Sequence, residues 1–139
     1  MQKMDTLFTE QLSANNLRMT VNRLSIFNVL SSSDKPMTIQ EMIASDSIQS
    51  YFTSVYRSID SMVKVGIIRE VPRGFKIYYE LGEKFRPHHH HLTCEICHKS
   101  IPIDDHGIEE MMISLAIDSG FKATHHQFEM FGICRDCQK

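Results

Sequence analysis

Two kinds of metal-binding side chain crowd into one stretch, Pro87-His88-His89-His90-His91-Leu92-Thr93-Cys94-Glu95-Ile96-Cys97. A second thiol pair, Cys134-Arg135-Asp136-Cys137, follows much later in the chain. Zinc takes four ligands tetrahedrally from thiolate and imidazole, and each C-x-x-C turn supplies two of them. Cys94, Cys97, Cys134 and Cys137 together make one structural zinc site and use all 4 cysteines. Two disulfides would use the same residues, but disulfides accompany export and no apolar export signal opens the sequence. A thioredoxin-like pair needs a single C-x-x-C in a βαβ setting, whereas here two such turns flank one segment. The histidine run leads straight into Leu92-Thr93-Cys94 and reads as a ligand-bearing strand, with an inert solvated tract as the alternative.

These ligands need elements to hold them. With 139 residues, 42% apolar and a net charge of −2, the chain reads as one or two small soluble domains. Eight histidines and four cysteines without an export signal lead to the expectation of a cytoplasmic metalloprotein with no membrane partner. Gross charge does not announce a nucleic-acid partner, so any such face must come from local clustering.

The first half reads as a series of short helices. One runs from Asp5 to about Asn15 and carries Leu7, Phe8 and Leu12. Thr20 caps a second, with Leu24, Phe27 and Leu30 on its inner face. Thr38-Ile39-Gln40-Glu41 is a capping box that opens a third. The fourth, about Tyr51 to Val65, places Phe52, Val55, Ile59, Met62 and Val63 inside and Thr53, Arg57 and Lys64 outside; Tyr56 and Ser54 lie at its edges and Gly66 ends it. Strands over Ile67–Val71 and Lys76–Leu81, joined by Pro72-Arg73-Gly74-Phe75, complete a winged helix-turn-helix pattern. Gly82 to Pro87 reads as a linker.

The second half reads as a strand from the histidine run, another at Ser100 to Ile103, and a helix capped by Asp104 or Asp105. That helix bears Ile108, Met111, Met112 and Leu115, and a strand over Phe121 to Phe131 follows it. This is more apolar surface than so small a unit hides, and a homodimer interface is the natural outlet. The predicted class is α+β, with a winged-helix DNA-binding domain over 1–83 and a small α/β dimerisation and metal-binding domain over 84–139.

These motifs resemble the ferric uptake regulator family of bacterial metal-dependent repressors. The likeness runs through Leu17-Arg18-Met19-Thr20-x-x-Arg23, Ser54-Val55-Tyr56-Arg57, Gly66-Ile67-Ile68, Tyr79-Glu80-Leu81, the His-Cys stretch, and Phe121 to Cys137 with His126, Glu129 and Gly132. The resemblance implies a homodimer that binds inverted-repeat operator DNA when loaded with a divalent metal. Tyr56 is then a base contact, Arg57 a phosphate contact, and Arg18, Thr53, Ser54 and Lys64 further DNA-facing residues. It also implies a regulatory metal held by His88, His90, Glu109 and His126, a set that suits zinc, iron or manganese. A second regulatory metal falls to Glu80, His89 and His91. Alternation along a strand explains how one run serves both sets. The second set departs from the family pattern at Pro36, where many relatives have a histidine, and at Pro102, where the residue is often acidic. These departures tilt the sensed ion toward zinc over iron or manganese. His98, His106 and His125 receive no role. The competing readings are a zinc-buffering interaction module without a DNA role and a zinc hydrolase. The hydrolase lacks an H-E-x-x-H motif, and four thiolates leave zinc no open position.

Overall fold

The computed structural model describes residues 2–45, 48, 50–87, 89–103, 106–124, 126 and 128–138. The chain divides into two compact units, Met1–Pro87 and His88–Lys139. Among the described residues no helix is long and apolar enough to cross a membrane.

The first unit opens with α1 (Gln2–Ala14) and α2 (Val21–Ser32). Thr20 caps α2 by accepting from the Arg23 amide at 3.3 Å. Phe8 of α1 stacks on Phe27 of α2 with ring centroids 4.1 Å apart. The buried face of α2 is Ile26, Phe27, Val29 and Leu30, while the expected Leu24 is 40% exposed. The helix is turned so that the Phe27–Leu30 turn, not its first turn, meets α1 and α4. α3 (Ile39–Ala44) carries the expected capping box: the Thr38 amide donates to Glu41 Oε2 at 2.7 Å and the Glu41 amide to Thr38 Oγ1 at 3.2 Å.

α4 (Phe52–Lys64) buries Val55, Ile59 and Met62. Phe52, expected inside, is half exposed, because it lies at the first turn and lines a groove of about 530 Å³ between α3, α4 and the following hairpin. Gly66, at φ +71°, ends the helix, and the Ile67 amide bonds back to the Met62 carbonyl at 2.9 Å. Strands β1 (Ile68–Arg73) and β2 (Lys76–Leu81) pair antiparallel from Ile68–Leu81 to Arg73–Lys76, so the connection is only Gly74-Phe75. Met37 bridges the other edge of β2 at Tyr79 through bonds of 2.9 and 2.8 Å. Three helices, a fourth outward-facing helix and this hairpin make the winged helix-turn-helix.

The expected linker belongs to this unit. Phe85 is buried edge-on against Phe27 with centroids 5.1 Å apart, Lys84 bonds Gln11 at 2.6 Å, and Arg86 donates to the Ser33 carbonyl at 2.5 Å. Gly82 is required where the chain leaves β2, since a Cβ there would lie 2.2 Å from the Gly66 carbonyl oxygen.

Among the described residues, the second unit is a three-stranded sheet in the order β4-β3-β5 with one helix. β3 (His90–Cys94) runs antiparallel to β4 (Ser100–Ile103) and parallel to β5 (Glu129–Gly132). Among the described residues, the strand expected over Phe121 to Phe131 forms at Glu129–Gly132, where His91 to Cys94 lie opposite and supply ladder partners. α5 (His106–Asp118) connects β4 to β5, and the amides of Gly120 and Phe121 close its end on the Ile117 and Ala116 carbonyls. The capping residues expected for it, Asp104 and Asp105, lie outside the described residues. Met111, Ile113, Leu115 and Ile117 of α5 are each more than half exposed.

Candidate metal centres and nucleic-acid face

The four thiols meet at one end of the second unit. Cys94 ends β3 and is buried; Cys97 follows in an exposed turn; Cys134 and Cys137 sit in the turn after β5. Parallel pairing of Cys94 with Gly132 is what brings the two C-x-x-C turns together. The four sulfurs lie within 4.8 Å of one another, with Cys97 and Cys134 3.7 Å apart. Tetrahedral Zn–S bonds of about 2.3 Å put sulfurs about 3.8 Å apart, so the spacing fits zinc.

The electrostatics agree. The Cys134 amide, 3.4 Å from the Cys94 sulfur, together with the amides of Cys97 and Ile96, draws the Cys94 thiol down to about 6. Cys137 goes the other way, pushed up to about 12 by hydrogen bonding with Cys134, by burial, and by the remaining sulfurs. A cluster that forms its first thiolate easily and resists its last needs a cation to become fully ionised.

A second group lies farther along the sheet. His90 is buried on β3, Glu109 is in the first turn of α5, and His126 precedes β5. One carboxylate oxygen, Glu109 Oε1, lies 2.7 Å from His90 Nε2 and 3.0 Å from His126 Nε2. The convergence of two imidazole nitrogens on one carboxylate is the donor set of a borderline divalent ion such as zinc, iron or manganese. His90, Glu109 and His126 are thus the residues able to hold one here. His88, expected with them, lies outside the described residues.

The remaining predicted ligands belong to different units, Glu80 to the first and His89 and His91 to the second. Glu80 is buried on β2 and is bonded by its cross-strand neighbour Arg69, whose Nε donates to Oε1 at 2.5 Å. The His89 and His91 rings meet edge-on at 4.8 Å, and His91 Nδ1 lies 3.3 Å from Glu129 Oε1. Alternation sends His90 and His91 to different carboxylates, Glu109 and Glu129. The spacing of the run foretold the two faces; Glu129, named in the closing motif, received no partner from the sequence because its register with His91 depends on a parallel pairing across α5.

On the first unit, Thr53, Ser54, Tyr56 and Arg57 share the exposed side of α4, and Arg18 is exposed ahead of α2. Lys64 is exposed and paired to Asp60 at 2.8 Å, which raises its pKa through that hydrogen bond and charge. Arg23 serves scaffolding instead: it donates to the Arg18 carbonyl at 2.5 Å and to Ser61 Oγ at 3.1 Å, tying the entry of α2 to α4.

The Ferric uptake regulator family matches residues 14–131 of the chain. The chain is 28% identical over 136 residues to the ferric uptake regulation protein of Campylobacter jejuni, covering 94% of this chain and 85% of that one. It is 26% identical over 133 residues to the peroxide-responsive repressor PerR of Staphylococcus saprophyticus, covering 91% and 86%. The fold is that of the Helicobacter pylori ferric uptake regulator Fur, described with three functional metal binding sites, at a TM-score of 0.80 and 24% identity over 99% of this chain and 93% of that one. The chain belongs to the ferric uptake regulator family, whose members are metal-responsive transcription regulators and not enzymes.

Proposed function

We propose that this chain is a repressor that binds inverted-repeat operator DNA as a homodimer in the cytoplasm when a divalent metal is bound, with zinc favoured over iron or manganese as the sensed ion. The observation that carries the reading is the coexistence, in one small unit, of two chemically different donor sets. The four thiolates of Cys94, Cys97, Cys134 and Cys137 suit a permanent zinc that holds the fold. His90, Glu109 and His126, with His88, suit an exchangeable ion, because nitrogen–oxygen sites release metal more readily than four thiolates do. Glu80, His89 and His91 form the second regulatory set in this reading; Pro36 and Pro102 offer it no side-chain ligand, which disfavours the iron-sensing pattern.

The exposed side of α4 supports the DNA role. In this reading Tyr56, 53% exposed, contacts a base edge and Arg57 a phosphate, with Arg18, Thr53, Ser54 and Lys64 as further DNA-facing residues. Lys64 exchanges its Asp60 partner for phosphate. The apolar outer side chains of α5 support dimerisation, since a second copy covers what a unit of this size cannot.

The test is selection of duplexes from a random library by the purified chain, with zinc, ferrous iron, manganese or a chelator of exchangeable metal. A palindromic sequence retained with metal and strongest with zinc is expected. Equal retention in chelator, or enrichment without two-fold symmetry, would count against the reading.

A further inference from the structure

The flanks of His91 differ sharply in chemistry. β3 lies between β4 and β5, and His91 faces Pro102 on one side and Glu129 on the other. Pro102 carries no donor in its side chain. Glu129 places a carboxylate oxygen 3.3 Å from His91 Nδ1, at the long end for a hydrogen bond. An ionised carboxylate can only accept, so the contact fits a proton on Nδ1, which leaves Nε2 as the nitrogen able to take a metal. The His91 side chain is buried, at 1% exposure.

His90, on the other face of β3, makes an instructive contrast. There Glu109 approaches Nε2, the nitrogen at the ring's far edge, and the same oxygen also reaches His126. Glu109 competes for the position a cation takes, which is how a ligand sits. Glu129 approaches Nδ1, the nitrogen nearer the backbone, which is how an orienting partner sits.

We propose that Glu129 is a positioning residue: it holds the proton on His91 Nδ1 and so presents Nε2 to a divalent cation, from the flank opposite Pro102. This rests on the assignment of His91 as a metal ligand made above. It gives the second histidine set a carboxylate supplied by β5, on a strand that also follows His126, so one short segment serves both histidine faces.

The test uses the full chain with zinc in its thiolate cluster and His126→Ala to silence the other set. Manganese alone is the probe, followed by its paramagnetic resonance signal. Two-bond proton–nitrogen spectra of the imidazoles report the tautomer without metal. The parent should show His91 protonated on Nδ1. Glu129→Leu should lose that single tautomer and weaken manganese binding about 10- to 100-fold. Glu129→Gln, which keeps an acceptor oxygen and nearly the same shape, should keep the tautomer with a smaller loss of affinity, and Glu129→Asp should recover part of it. Should Glu129→Leu fail to fold, the glutamine variant carries both readings. A proton on His91 Nε2 in the parent overturns the proposal, as does a Glu129→Leu variant with a lower melting temperature and unchanged affinity. If His91→Ala leaves manganese binding untouched, the ligand assignment fails along with the proposal; if His91→Ala abolishes binding while Glu129→Leu does not, only the positioning role fails.

Discussion

Replacing Cys97 by serine removes one thiolate without opening the interior, because Cys97 is exposed and a hydroxyl there stays hydrated. The loss is therefore nearly all metal binding. A structural zinc site is worth about 10–16 kcal/mol at neutral pH. Shared among four thiolates, the loss of one corresponds to roughly a hundred- to thousandfold weaker zinc binding. Cys94→Ser should cost more, since that position is 3% exposed and the hydroxyl is taken out of water. The second unit is sensitive to this loss: its buried side chains among the described residues are His90, His91, Thr93 and Cys94, none of them a large apolar group. The first unit keeps its own core around Phe8, Phe27, Ile59 and Leu81. Competition with a chromophoric chelator measures zinc affinity, and melting followed by circular dichroism separates the units. Cys97→Ser should release zinc to the chelator at far lower concentrations and show an early transition for the second unit only. A variant that competes and melts like the parent would refute the zinc assignment and the view that this unit depends on it.

Other perturbations have equally definite outcomes. Backbone amides lower the Cys94 thiol to about 6 and the surrounding sulfurs raise Cys137 to about 12, so zinc arriving at the assembled cluster should displace a proton from Cys137 throughout the neutral range and a further one from Cys94 below pH 6. Affinity therefore falls as pH falls, and calorimetry in buffers of different ionisation enthalpy counts the protons; the same count on both sides of pH 6 would contradict the geometry. Arg57→Ala should weaken DNA binding across sequences and flatten its salt dependence by roughly one unit of slope, whereas Tyr56→Ala should cost about 1–3 kcal/mol and relax preference at one base position. His126→Ala should lower metal-dependent operator affinity at least as much as His89→Ala, and the reverse order would move the sensor to the second set. Phe85→Ala should destabilise the first unit by about 3–5 kcal/mol in denaturant melts, where a free linker would give no change.

How far the sequence could be read depended on how local each signal was. The Thr38–Glu41 capping box, the Thr20 cap and the Gly66 stop are contacts between near neighbours, and all three formed as their residues dictate. The thiolate cluster was legible because only one arrangement satisfies two C-x-x-C turns and one tetrahedral ion. Helix faces were read less well. Leu24 and Phe52 satisfy the 3.6-residue period yet sit at first turns beyond the reach of the core, and periodicity does not say where the neighbouring helix ends. The segment from Gly82 to Pro87 has loop composition, but Phe85 and Arg86 find partners on α2 and its following turn, more than fifty residues back. The same distance problem hid the pairing of Glu129 with His91, which depends on which strand lies beside β3 and in which direction it runs.

The parallel alignment of β3 with β5 also bears on the order in which the molecule assembles. The helices of the first unit form largely from contacts within a few residues, which close at little entropic cost. Pairing His91 with Glu129 requires closing a long loop that contains β4 and all of α5, and parallel ladders return slightly less per residue than antiparallel ones. Contacts of this kind slow folding. Two thiolate pairs at the ends of the paired strands act as a clip across that loop, so the rate at which the second unit matures should depend on zinc supply while that of the first does not. A cell short of zinc would accumulate chains whose winged helix is finished and whose second unit is still searching for its register.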